Sequence, residues 1–323
     1  MKPIDMHVHI VGNGAGGSGC WVRPRGLHRQ LGGFMLRHIG LNVTGFDDPK
    51  FDGVYIARLL QQVHESSLGA VVILAQDDVF DKHGRRMNDV GTFYVPNHYV
   101  LALARQHPEF WPAVSIHPAR PDALEELDRC LAGGAVLLKL LPNCHNVDCN
   151  DRRYQKFWER MAENKLPLLA HTGGEHTLHV VRRELQDPRV LELPLECGVT
   201  CIAAHCAGKG GVVDQDYFAV FAAMTRRYPN LYGDISAFNI PFRSKHFRAA
   251  LASPLVERLL HGSDYPVPVF GHWAWMRGLI DWKTFRRWEA NPNVLERDYQ
   301  LKRAMGFPDE VFTRVAGVLR KPL

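Results

Sequence analysis

Short, almost continuously apolar runs alternate with amphipathic stretches from end to end of the chain, and this rhythm constrains the fold more than any other feature. Runs of that kind read as strands covered on both faces. They fall at residues 2–9, 70–76, 111–117, 135–141, 166–172, 200–206, 231–236 and 256–264. Helical periodicity fills the gaps. Residues 55–65 carry Ile56, Leu59, Leu60 and Val63 on one stripe, residues 123–131 repeat Leu124, Leu127 and Leu131, and 157–164, 179–185 and 217–227 keep the same period. Strand–helix alternation builds parallel βα units, which close into a barrel or lie in a doubly wound open sheet. No GxGxxG follows an early strand, which weighs against a dinucleotide-binding version of the open sheet.

Two connections break the rhythm. Residues 11–50, containing GNGAGGSG and WVRPRGLHRQ, separate the first strand from its helix, and residues 77–97 follow the second. Loops of this length inside a compact domain are usually lids or disordered segments. The C-terminal part is rich in Trp and ends in an expected closing helix at 308–320, so residues 1–323 read as one domain. A hydrophobic fraction of 46% with 23% charged residues excludes a disordered chain. No apolar run approaches the ~18 residues of a membrane span, and MKPIDMHVHI has no apolar signal core, so a soluble cytoplasmic protein is expected. The net charge of +5 is spread over short basic stretches, which read as solvated faces and give little support to nucleic-acid binding; a small-molecule substrate is expected, with no nucleic acid or membrane as partner. A homo-oligomer stays open. The 7 cysteines form no CxxC pair, so reduced and mostly buried thiols are expected.

The chemistry lies at the strand ends. With 17 histidines, about one HxH pair is expected by chance, so His7-Val8-His9 carries little weight alone. Alternate residues of a strand face the same side, however, so His7 and His9 project into one space and can share a metal. The fourth run sets Lys139 in otherwise apolar surroundings, and a lone buried ammonium costs several kcal/mol unless paired or neutralised. The fifth run ends at His171, the sixth at His205, and the eighth at Asp264. In a (β/α)8 barrel all these ends open on one face, where active sites are built.

This order, HxH on the first strand, Lys on the fourth, His on the fifth and sixth, Asp on the eighth, resembles the amidohydrolase superfamily. The segments DMHVHI, LLHGSDYPVPV and NPNVLERDYQLKRAMGFPDEVFTRVAGVL are similar to its amidohydrolase-2 branch. The resemblance implies a (β/α)8 TIM barrel, with long loops after strands one and two and a C-terminal helical extension. It implies one or two divalent metals, zinc in most members, with manganese as the alternative. His7, His9 and Asp264 match the ligands of the more buried metal, Lys139 the carboxylated lysine that bridges two metals, and His171 and His205 the ligands of the second. In single-metal members the residue matching His171 instead joins the single metal, and the residue matching His205 polarises substrate or water.

The expected activity is metal-assisted hydrolysis of a lactone, ester or amide, with Asp264 moving the proton and His205 polarising the carbonyl. The rivals are single-metal decarboxylation or hydration of an aromatic or dicarboxylic acid, and a non-catalytic small-molecule-binding barrel. Substrate contacts are expected from Asn143 and His145 after the fourth strand, His117 after the third, and Arg23 and Arg25 on the first long loop, whose guanidinium groups suit a carboxylate or phosphate. Asp234 on the seventh strand is a further candidate. Asp5 reads either as a carboxylate orienting an imidazole or as a structural one.

Overall fold

The computed structural model describes residues 2–321. All eight expected strands form, shorter than expected and the third beginning one residue early: Ile4–His9, Ala70–Leu74, Phe110–Val114, Leu137–Leu140, Leu168–Ala170, Cys201–Ala203, Leu231–Asp234 and Leu259–Leu260. They pair in chain order as one parallel sheet. The eighth meets the first through a parallel bridge between Val8 and Tyr265 and a hydrogen bond from His9 N to Tyr265 O of 2.8 Å. The sheet is thus a barrel, not the open alternative. Ile4, Met6, Val72, Leu137, Leu169 and Ile202 fill its interior, and Val315 and Leu319 of the C-terminal segment join that cluster. A second apolar layer, including Leu59, Leu127, Trp158 and Phe221, lies between the strands and the surrounding helices.

Strict alternation does not hold along the first strand. Its register against the second slips between Asp5 and Val8, where one extra residue is inserted. Ile4 and Met6 face the interior while Val8 packs outward, so an unbroken period of two would have turned His7 and His9 outward as well. The bulge resets the phase, as bulges beside active sites commonly do. Gly262 makes room for the result: a Cβ there would sit 2.7 Å from His7 Cβ.

The two long connections are not structureless. The first contains the helix Gly26–His38, and its strand Trp21–Val22 pairs antiparallel with Phe93–Tyr94 of the second. Asp52 ties down the glycine-rich stretch by accepting from Asn13 N at 2.7 Å, Gly14 N at 3.2 Å and Ser18 Oγ at 2.6 Å. Gly14 has φ +86 and lies so near Cys20 that a Cβ would meet its carbonyl oxygen at 2.6 Å, which requires glycine there. The helix expected at 179–185 is absent. Val181 N and Arg182 N both donate to Asn143 O, which holds the segment extended until a short 3-10 turn at Arg183–Gln186. The closing helix at 308–320 is broken into Asp309–Thr313 and Val315–Val318. The cysteines are free thiols, six of them buried. No helix among the described residues is long and apolar enough to cross a membrane.

A buried ion pair locks the eighth strand to the C-terminal helix Val294–Ala304. Lys302 Nζ contacts Asp298 and donates to Gly262 O at 2.7 Å, and Asn239 Nδ2 donates to Asp298 Oδ1 at 2.6 Å. Burial pushes the Asp298 carboxyl up to about 6 even beside the ammonium. Removing one partner strands the other, so Lys302→Met is expected to lower unfolding free energy by about 3 kcal/mol. Urea titration checks this. Lys302→Met/Asp298→Leu, which removes both charges, should recover most of the loss; equal instability of single and double variants would show that charge is not the cause.

Candidate metal centre

The carboxyl ends of the strands bring His7, His9, Lys139, His171, His205 and Asp264 to one place, all buried except the partly exposed His9. His7 Nε2 lies 3.2 Å from His9 Nε2 and 3.2 Å from Asp264 Oδ1, and His9 Nε2 is 3.4 Å from the same oxygen. Metal–nitrogen bonds of ~2.0–2.1 Å at tetrahedral angles set neighbouring donors ~3.3 Å apart, so this trio has the spacing of three ligands to one cation. A second trio, His7, His205 and Asp234, is equally compact. It is a hydrogen-bond network, because its His7 atom is already engaged.

That network sets the tautomers. Asp234 Oδ2 is 2.7 Å from His7 Nδ1, while Asp234 Oδ1 accepts from His205 N at 2.8 Å, Ser236 N at 3.1 Å and the Ser236 hydroxyl. His7 Nδ1 therefore carries a hydrogen and Nε2 presents its lone pair to the trio. With the Ser236 hydrogen given to Asp234, His205 Nδ1 is left to donate to Ser236 O at 3.1 Å. His205 Nε2 then presents a lone pair as well, 3.8 Å from Asp264 Oδ2. His171 Nε2 is buried with no hydrogen-bond partner, the nearest carboxylate oxygen being Glu175 Oε2 at 3.5 Å. An orphaned buried imidazole nitrogen beside a histidine–aspartate cluster fits a cation site.

Charge follows geometry. Burial alone would push the Asp264 and Asp234 carboxyls up, but the imidazoles around them, with the Ser236 hydroxyl on Asp234 and Arg243 near Asp264, together hold both well below the usual carboxylate range. Burial pulls His9 down to about 4 and His205 well below its ordinary value, so both are neutral, as ligands must be. Burial likewise lowers the Lys139 ammonium to about 8, against the attraction of Asp264 and Asp234. Lys139 Nζ sits 3.2 Å from His7 Nε2, where a protonated amine would compete with a cation for one lone pair.

The backbone here is strained. His205, Cys206 and Ala207 have φ of 58, 51 and 55, and Asp264 has φ 69. Such left-handed non-glycine residues cost on the order of 1–3 kcal/mol each and persist only where surroundings over-determine them. The bonds from His205 N to Asp234 and from Asp264 N to His7 O (2.9 Å) do so.

A cavity of about 190 Å³ opens over the cluster, lined on one side by His9, His171, His205 and Asp264. Val22, Pro24, Met35 and Phe93 of the long connections form much of its apolar wall, with Glu175 and Arg243 as polar members. The proposed substrate contacts lie elsewhere. His145 takes Leu141 N at its Nδ1 and sits 2.6 Å from the Gln76 amide, and His117 Nε2 binds His145 O at 2.9 Å. These histidines and Asn143 are buried behind the cavity and do not line it. Arg23 is exposed, paired with Asp89 and stacked over Trp21, and Arg25 is also exposed. Asp5 is the structural kind of carboxylate: its Oδ1 accepts from His7 N and Ser263 N, and burial pushes it up to about 7.

Three residues escaped the sequence reading. Ser236, two beyond Asp234, was legible by alternation, and Glu175, four beyond His171, by proximity. Arg243 carries no signal, since only folding separates it from the other arginines.

The amidohydrolase-2 family model, described as Amidohydrolase, matches residues 4–297. No curated protein matches. Among solved structures, an uncharacterized TIM-barrel protein from Bordetella bronchiseptica is 19% identical over 98% of this chain and 100% of that one, with a TM-score of 0.59. A probable 2-pyrone-4,6-dicarboxylic acid hydrolase from Acinetobacter baumannii is 14% identical over 97% and 100% of the two chains, TM-score 0.54. A 5-carboxyvanillate decarboxylase from Sphingomonas paucimobilis is 11% identical over 98% and 96%, TM-score 0.53. At these identities the likeness establishes the fold.

Proposed function

This chain belongs to the amidohydrolase family, and we propose that it is a metal-dependent hydrolase opening a carbonyl C–O or C–N bond in a small lactone, ester or amide. The observation that carries this reading is the His7–His9–Asp264 trio at ligand spacing, with His9 and Asp264 lining a cavity. A divalent cation, zinc or manganese, would be held by these three, and by His171, His205 and Lys139 if there are two. Such a cation polarises a carbonyl and lowers the pKa of water. Asp264 would take the water's proton on Oδ2, the oxygen turned toward His205, and return it to the leaving group. In a single-metal site His205 would instead lie against the carbonyl oxygen, after its ring proton moves from Nδ1 to Nε2.

Lys139 decides the metal count. Burial lowers its ammonium to about 8, so a deprotonated fraction of the amine can add CO2 and lose a proton, giving a carbamate that would help to hold a second cation. Native mass spectrometry with elemental analysis is expected to find two metal equivalents together with a mass gain of one CO2. One fully occupied metal with unmodified Lys139 would leave the single-metal site. Absence of bound metal after expression with zinc or manganese would sink the enzyme reading. Decarboxylation is the second reading, favoured by the buried arginine in the cavity and by a decarboxylase among the structural neighbours. Products separate the two: CO2 release from carboxylated aromatics would replace hydrolysis.

A further inference from the structure

Arg243 follows the seventh strand and is 5% exposed, yet it lines the cavity together with His9, His171, His205 and Asp264. A guanidinium carries several N–H donors and cannot shed its charge in a protein. Here the side chain makes one hydrogen bond, from Nη2 to Gly174 O at 3.0 Å, while Nε is buried with no partner. Among the described residues it enters no ion pair. Asp264, Glu175, Asp234 and Asp214 attract it from a distance, but each carboxylate is engaged. Glu175 Oε1 takes the Thr177 and Leu178 amides, Asp214 holds His176 and the Gly210 and Gly211 amides, and Asp264 faces the histidines. A buried cation is normally paired, and this one has donors to spare beside an empty apolar space.

We infer that Arg243 is the receptor for a carboxylate on the substrate, so that the cavity takes a small organic acid with an apolar body. The reacting carbonyl would lie toward the His9–Asp264 end and the carboxylate against the guanidinium. This deepens the hydrolase reading and rests on it for a metal at that end. The volume agrees: about 190 Å³ is below the ~300–1,000 Å³ of sites for drug-sized ligands. Met35, Leu36, Phe93, Ile240 and Val267 line the same cavity, which suits an aliphatic or aromatic body. Forked pairing of guanidinium with carboxylate is shorter and stronger than neutral hydrogen bonding, so it would discriminate acids from amides of the same shape.

The test is calorimetric binding of benzoate and of benzamide, its uncharged isostere, to the metal-loaded protein. Wild type is expected to prefer benzoate by at least ~10-fold. In Arg243→Gln, which removes the charge and the forked donors, that preference should vanish while metal content stays unchanged. The wild-type comparison needs no variant to fold, and equal binding of the two probes would overturn the proposal. Full benzoate preference in Arg243→Gln would overturn it too, since the carboxylate would then be held by the metal. Neither result depends on turnover: a protein that selects benzoate through Arg243 but hydrolyses nothing refutes the hydrolase reading and leaves the carboxylate receptor standing.

Discussion

Asp264→Asn is expected to lower kcat/KM by about 10³–10⁴-fold with the barrel still folded. Asparagine is among the few residues at ease at the positive φ of 69 found here, and it keeps the size and one oxygen of aspartate. What it loses is charge. Asp264 Oδ1 stands 3.2–3.4 Å from both His7 and His9, and Oδ2 faces His205 across 3.8 Å. One substitution thus weakens the cation site and removes the proton acceptor, and general acid–base catalysis alone contributes about 10²–10⁴-fold. Turnover of the substrate class identified by screening lactones, esters and amides measures the loss, with far-UV circular dichroism to show the fold. Activity within about tenfold of wild type would remove Asp264 from the proton-transfer role.

His7→Ala is expected to combine the largest loss of metal with a loss of stability. A fully built zinc site binds with ~10–16 kcal/mol, so one ligand of about four accounts for ~3–4 kcal/mol, a several-hundred-fold weaker affinity. The same change leaves Asp234 Oδ2 buried without the imidazole donor 2.7 Å away, and a buried acceptor that loses its partner costs about 1–3 kcal/mol. Equilibrium dialysis against zinc and urea unfolding read the two effects separately. His7→Ala/Asp234→Asn should regain stability but not metal. A His7→Ala variant that binds zinc as wild type does would place the cation on other residues.

The sequence alone determined the layered architecture and the chemical cast. Alternation of apolar runs with helical stripes is local information, written residue by residue, and it yielded eight parallel strands close to where they form. Ionisable residues closing otherwise apolar strands were legible for the same reason: burying them without a role is costly, and His7, His9, Lys139, His171, His205 and Asp264 do meet in space. Loop arginines and the histidines after the third and fourth strands were harder, because position along a chain does not say which way a side chain turns. His117 and His145 turned into the hydrogen-bond network behind the cavity.

Only the tertiary structure decided the rest. The first strand needed a bulge to turn both histidines inward, and a bulge depends on its partner strand. The left-handed turn at His205 is held by Asp234 from the neighbouring strand, and Asp234 and Ser236 choose which nitrogens of His7 and His205 are free. The long connections became one wall through pairing of Trp21–Val22 with Phe93–Tyr94, residues far apart in sequence. Arg243 acquired its meaning from what failed to approach it: a guanidinium is solvated or paired by default, and only the packed fold removes both solvent and partner and leaves its donors facing a cavity.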